Sequence, residues 1–206
     1  MIERYTLPEM GEIWTENAKF QSWLDVEIAA CKANYELGNL PKEQLNHITA
    51  NANFNSERIK DIEKEVKHDV IAFLTNLNEY VGDAGRYIHV GMTSSDVLDT
   101  GLSLQLKDSC DLLIKEIANL EEQIRKLARK HKDTIMIGRS HAIHGEPISF
   151  GFKLAGWLAE ILRNKKRLIS LKDLISTGQI SGAMGTYANT NPKVEQITCD
   201  LLGLKP

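Results

Sequence analysis

Between Ser95 and about His131 the residues Leu102, Leu106, Leu113, Ile117, Leu120, Ile124 and Leu127 recur at intervals of 4, 7, 4, 3, 4 and 3. That spacing draws one apolar stripe along a single helix. A helix longer than about 25 residues belongs to a long bundle or coiled coil rather than to a compact globular core. The stripe reads as core, and Lys115, Glu121, Glu122, Arg125 and Lys126 then form a solvated face with no catalytic role. A second run of the same period passes through Leu154, Leu158, Ile161, Leu168 and Ile175.

The segments on either side are also helical. Phe20, Trp23, Leu24, Val26, Ile28, Ala29 and Ala33 share a broad apolar face between Thr15 and Leu37, with Gly38 as the stop. Pro41 starts another helix, Asn55-Ser56 caps a third, and a fourth runs around Val70 to Leu77 before Gly82. Asn191-Pro192 initiates a last helix that ends at Gly203. The chain is therefore expected to be all-α. It divides into a small N-terminal helical domain, residues 1–92, and the first part of a long-helix bundle, residues 93–206. Two stretches break the pattern. Thr134 to Pro147 is read as a polar loop, with Pro147 in the first turn of the following helix. Gly178 to Tyr187 is read as an irregular hairpin.

Composition narrows the function. With 25 basic and 28 acidic residues the net charge is −3, which excludes the basic bias of a general nucleic-acid binder. The longest apolar stretch, near Leu154 to Leu162, contains Glu160 and falls far short of a bilayer span, and the first ten residues are not a secretory signal. Cys31, Cys110 and Cys199 are far apart and form no CxxC pair, so neither a zinc ribbon nor a disulfide framework is expected. A reduced, cytoplasmic location is the simplest home, with neither a nucleic acid nor a membrane as partner.

Three places combine histidine with small polar groups: Lys67-His68-Asp69, the run from Tyr87 through His89 to Thr93-Ser94-Ser95-Asp96, and Gly138-Arg139-Ser140-His141 through His144 to Pro147. Thr93 to Asp96 opens the long helix, where free N–H groups and the helix dipole favour an anion. An ordinary N-cap needs only one of these residues. His141 and His144 lack the i,i+4 spacing and the third ligand of a helical zinc site, so no metal is expected. A histidine acid or base beside Arg139 and Ser140 fits better. His47 and His131 are read as structural or surface residues.

The stretches MIERYTLPEM, EVKHDVIAFL, TSSD, GRSHAIHGEPISFG and ISGAMGTYAN resemble the adenylosuccinate lyase branch of the fumarase/aspartase superfamily. The match runs from Met1 to Pro206. GRSHAIHGEP, preceded by TSSD about 45 residues earlier, carries the superfamily, and MIERY and KHDV select the branch.

The resemblance implies elimination of fumarate from adenylosuccinate, giving AMP, and from the earlier succinylaminoimidazole carboxamide ribotide. It implies no cofactor. By similarity His141 is the acid that protonates the leaving nitrogen, and Thr93 and Ser94 bind a succinyl carboxylate. Arg4 and Tyr5 match nucleotide-binding positions. Lys67, His68 and Asp69 line the same site, with His68 near the reacting end, and His89 matches a phosphate-side histidine. His144 supports. Lys67 stands where many members have arginine, replacing a bidentate fork by a point charge.

The third signature of the superfamily, G-S-S-x-M-P-x-K-x-N-P, does not occur in these residues. Its loop supplies the serine base, so the 206 residues alone are expected to be an inactive fragment. The resemblance also implies a homotetramer with shared active sites. Two other readings are a sister lyase, such as argininosuccinate lyase or a muconate cycloisomerase, and a non-catalytic helical oligomerisation module.

Overall fold

A computed structural model describes residues 2–206. The described chain is helical, with eight α-helices, two short 3₁₀ turns and one two-stranded hairpin. In chain order α1 spans Pro8–Ile13, α2 Glu16–Glu36, α3 Lys42–Asn51, α4 Ser56–Val66, α5 Asp69–Val81 and α6 Ser94–Lys130. The strands β1 (Ile135–Ser140) and β2 (Ile143–Ser149) follow, then α7 (Phe150–Ile175) and α8 (Pro192–Leu202). The all-α expectation is met, and the 37-residue α6 is the long helix its seam required.

The caps are those the residue types predict. The Thr15 hydroxyl accepts from the Ala18 N–H at 3.1 Å, and the Asn55 side chain accepts from the Arg58 N–H at 2.9 Å. Asn191 caps α8, with Pro192 in its first turn and Gly203 left-handed at its end. Each cap satisfies a backbone donor that the helix leaves open.

Two compact units form, one from Met1–Asp108 with Ile175–Pro206, the other from Ser109–Leu174. The first turns of α6 bury Val97 against the N-terminal helices, and Lys107 caps the C-terminal end of α8 by donating to the Leu202 and Gly203 carbonyls.

The core of the first unit is built on α2, which buries residues on nearly every side. Phe20, Trp23 and Phe73 interlock there. Phe20 stacks on Phe73 at 6.0 Å between ring centroids, and Trp23 meets Phe73 edge-on at 5.6 Å. The three cysteines are free and buried; burial pushes the Cys31 thiol up to about 12 and that of Cys199 to about 11, which keeps those two thiols protonated.

In the second unit α6 and α7 run antiparallel. Lys165 pairs with Glu121 at 2.9 Å and Lys172 with Asp111 at 2.5 Å, so numbers rising on one helix fall on the other. Part of the α6 stripe is not buried within the chain, since Leu113, Leu120 and Leu127 remain exposed while Ile124 is buried. On α7 Leu154 is buried, and the exposed apolar residues Phe152, Trp157, Ile169 and Leu174 lie outside the predicted stripe.

Two local readings are corrected. The segment read as a loop is the β1–β2 hairpin, and Pro147 lies in β2 opposite Ile137 rather than in a helix. In a two-stranded hairpin both strands are edges, so a proline that cannot donate to a ladder is tolerated. Gly138, whose Cβ would lie 2.8 Å from the Glu146 carbonyl, marks the bulge where the register shifts. Residues 178–187 form no hairpin. The Gly178 N–H donates to the Lys205 carbonyl at 2.7 Å, and side chains from two helices hold residues 179–182.

Candidate active site

The start of α6 is closed from within. The Asp96 carboxylate, fully buried, reaches back to accept the Thr93 N–H at 2.9 Å, and the Asp96 N–H donates to the Thr93 carbonyl at 3.0 Å. This is the backbone half of a capping box. Consequently the hydroxyls of Thr93 and Ser94 are not needed for the cap, and neither bonds to another group among the described residues. Two half-buried hydroxyls therefore stand free at a helix N-terminus, the end that favours a carboxylate or phosphate.

A second strand of chain is fastened to this turn. The same carboxylate accepts the Gly182 N–H at 3.0 Å and the Ser181 N–H at 3.2 Å. The preceding N–H, of Ile180, donates to Glu195 on α8 at 2.8 Å, and the Tyr187 hydroxyl donates to Glu195 at 2.7 Å. The Thr100 hydroxyl donates to the Gln179 carbonyl and accepts its N–H, each at 3.0 Å. Gly91, with φ +74°, leaves no room for a side chain, since a Cβ there would lie 2.9 Å from the Asn189 carbonyl carbon and 3.1 Å from Thr190 Cβ.

His89 sits one turn earlier, in the left-handed region at φ 64°. Its Nδ1 lies 2.6 Å from a carboxylate oxygen of Glu27, and its N–H donates to the other oxygen at 3.0 Å. Glu27 is a fully buried residue of α2. Burial pulls the imidazole pKa down, but the bond to Glu27 and the charges of Glu27 and Asp96 outweigh it, so the net shift is upward. With Nδ1 engaged, Nε2 is the nitrogen left to meet a ligand.

Lys67, His68 and Asp69 form the corner between α4 and α5. Lys67 ends α4 in the left-handed region at φ 57°. His68 caps α5 through Nδ1, which accepts the Ile71 N–H at 3.4 Å, and its side chain is 46% exposed. Asp69 accepts the Val70 N–H at 2.8 Å. Arg4 and Tyr5 lie in the first 3₁₀ turn, both exposed, with the guanidinium 4.8 Å from the ring centre. Among the described residues no hydrogen bond or ion pair ties this corner, or Arg4 and Tyr5, to the Thr93–Ser181 cluster.

His141 belongs to the other unit. It and Ala142 form the two-residue tip of the β1–β2 hairpin, at φ 51° and 64°. Two left-handed residues make the turn that fits the twist of a hairpin, and glycine or asparagine usually supplies them. Strain of this kind collects where a side chain must be presented. The tip is exposed, and Arg139 braces it by donating to the Ala142 carbonyl at 3.3 Å. His144 is exposed on β2, paired with Arg139 in the ladder. Among the described residues no group of three or more His, Cys, Asp or Glu is placed to hold a metal ion. No helix among them is long and apolar enough to cross a membrane.

Sequence reasoning missed Glu27 and the 180–182 backbone, and read Asp96 only as part of the polar start of α6. The signal for Glu27 was present, a carboxylate at helical spacing from Phe20, Trp23, Leu24 and Cys31, within the apolar face of α2. No local signal joined Asp96 to Ser181, 85 residues away.

Comparison with known proteins agrees with this architecture. The chain is 62% identical over 206 residues, all of its length, to the adenylosuccinate lyase of Synechocystis, and covers 48% of that protein. It spans about half the length of the curated relatives it matches. Among solved structures, the fumarate lyase of Mesorhizobium sp. BNC1 superposes with a TM-score of 0.90 at 30% identity, over 95% of this chain and 48% of that one. The 3-carboxy-cis,cis-muconate lactonizing enzyme of Pseudomonas putida gives 0.89 at 30% identity, over 98% and 48%. The sequence model of one protein family, described as Lyase, matches residues 3–205, and the chain belongs to that lyase family.

Proposed function

We propose that these residues form part of an adenylosuccinate lyase, eliminating fumarate from adenylosuccinate and from the succinylaminoimidazole carboxamide ribotide of purine biosynthesis. The observation that carries the reading is 62% identity over the whole chain to a protein of that name. The site chemistry is compatible with it.

A proton beside a carboxylate is weakly acidic, so its removal demands stabilisation of the dianion that forms. Thr93 and Ser94 supply hydroxyl donors and the α6 N-terminus supplies the dipole for that succinyl carboxylate. His141, presented by a braced hairpin tip, protonates the departing nitrogen. His89, kept protonated to higher pH by Glu27, offers Nε2–H to the phosphate. Arg4, Tyr5, Lys67 and Asp69 bind the nucleotide, and His68 lies toward the reacting end. No metal or cofactor enters this scheme.

The base is assigned to a serine of the G-S-S-x-M-P signature, which does not occur within residues 1–206; this chain alone is therefore expected to turn over nothing. The exposed apolar residues of α6 and α7 support a homo-oligomer, read as a cytoplasmic tetramer with shared sites. The organisation proposed is a helical domain, residues 1–92, followed by a bundle region from residue 93. The muconate enzyme's similarity supports a second reading, a sister lyase on the same scaffold. Fumarate release from adenylosuccinate by the full-length protein separates the two; lactonisation of 3-carboxy-cis,cis-muconate, which releases no fumarate, would instead favour the second.

A further inference from the structure

We propose that Asp96 is a positioning residue for the succinyl half of the substrate, fastening the turn that carries Thr93 and Ser94 to the Ser181-Gly182 backbone. The inference rests on the adenylosuccinate lyase reading and adds to it a residue that does not itself touch substrate.

Helix capping alone would be met by any single acceptor at the start of α6. Asp96 does more: one carboxylate accepts three backbone N–H groups from two stretches of chain, Thr93 at 2.9 Å, Gly182 at 3.0 Å and Ser181 at 3.2 Å. It is fully buried, and no lysine or arginine pairs with it among the described residues. A buried carboxylate is costly unless it is paired or surrounded by N–H donors, and here all three hydrogen-bond donors lie on the two loops. The Asp96 N–H, which a capping hydroxyl would accept, goes to the Thr93 carbonyl at 3.0 Å, so the Thr93 hydroxyl is left free of the helix. The 181–182 attachment then fixes where that hydroxyl stands. Ala183 to Thr186 lie exposed beyond the attachment, so the clasp acts at the base of a protruding loop.

The test uses the full-length enzyme and Asp96→Asn, which keeps the shape. An amide has one acceptor oxygen, and its NH₂ must face a backbone N–H in either orientation. Losing hydrogen bonds to a charged group costs about 10- to 100-fold. Folding is checked by circular dichroism and thermal unfolding. The expected result is kcat/KM for adenylosuccinate lowered about 10- to 100-fold. Product inhibition by fumarate should weaken at least about tenfold, while inhibition by AMP stays within about twofold.

A residue that only stabilises the fold would not split the two products. If folded D96N keeps kcat/KM within about threefold of the parent, or if AMP and fumarate inhibition weaken equally, the inference is overturned. Should D96N not fold, Asp96→Glu carries the same expectations, since it keeps the charge and displaces the oxygens by one methylene. Failure of both to fold makes the carboxylate a folding requirement and also overturns the positioning role. A parent enzyme that releases no fumarate fails the functional reading itself, and this is seen before any variant is compared.

Discussion

Replacing Gly91 by alanine tests the joint between the two loops of the candidate site. Two costs are separable. At φ +74° an L-residue pays about 1–2 kcal/mol for the left-handed conformation. The new Cβ would also lie 2.9 Å from the Asn189 carbonyl carbon, closer still to its oxygen, and 3.1 Å from Thr190 Cβ. These are mostly backbone atoms of a loop and cannot rotate away as a side-chain tip would, so overpacking adds about 1–3 kcal/mol. Gly38 supplies the control. Its φ is +79° and a Cβ there meets nothing within 4 Å, so Gly38→Ala carries only the conformational cost.

The two variants are compared by urea unfolding of the same protein. Gly91→Ala should lose about 2–5 kcal/mol, and exceed Gly38→Ala by about 1–3 kcal/mol. Amide exchange should quicken at residues 89–93 and 188–190 in the first variant only. Equal losses in the two variants would refute the steric part of the reasoning, because φ is nearly the same in both.

Two further outcomes follow from the core and from the buried pair. Phe73→Ala removes a fully buried ring held by Phe20 and Trp23, and should cost about 3–5 kcal/mol in denaturant unfolding; a loss below about 1 kcal/mol would mean that the aromatic cluster collapses to fill the space. The His89–Glu27 contact predicts a pH signature. Since the folded protein holds the His89 pKa above its ordinary 6.5, folding favours the protonated form. The stabilisation is full below that ordinary value and is lost as pH rises through the elevated one. Between about pH 6 and pH 9 the parent should therefore lose more thermal stability than His89→Asn, and parallel curves would contradict the assignment of a protonated His89.

Helix boundaries were legible where a single residue type does the work. Thr15, Asn55 and Asn191 cap as their hydroxyl or amide chemistry requires, and Gly203 ends α8 in the left-handed region. The hairpin was not legible because its own adaptations look like loop residues. Gly138 admits the bulge and Pro147 exploits an edge, so glycine and proline there accompany strands. Nor is the 178–187 segment a hairpin, since its polar backbone is satisfied by Asp96, Thr100 and Glu195 rather than by a ladder.

The candidate site was legible as composition and not as geometry. TSSD announces a polar helix start, yet nothing in four letters says that the carboxylate faces inward and the hydroxyls do not bond to it. His89 announces a histidine, but its charge state is set by Glu27, 62 residues earlier. Long-range side-chain pairs of this kind escape periodicity, which reports only which face of a helix is buried.

Fumarate release reports on the proposed elimination itself. The full-length protein is mixed with adenylosuccinate, and fumarate and AMP are measured alongside the His141→Gln variant. Equal amounts of the two products are expected from the parent. A loss of about 10²–10⁴-fold or more is expected in the variant, because a positioned acid is removed. No fumarate from the parent, or undiminished release from His141→Gln, would contradict the proposed elimination.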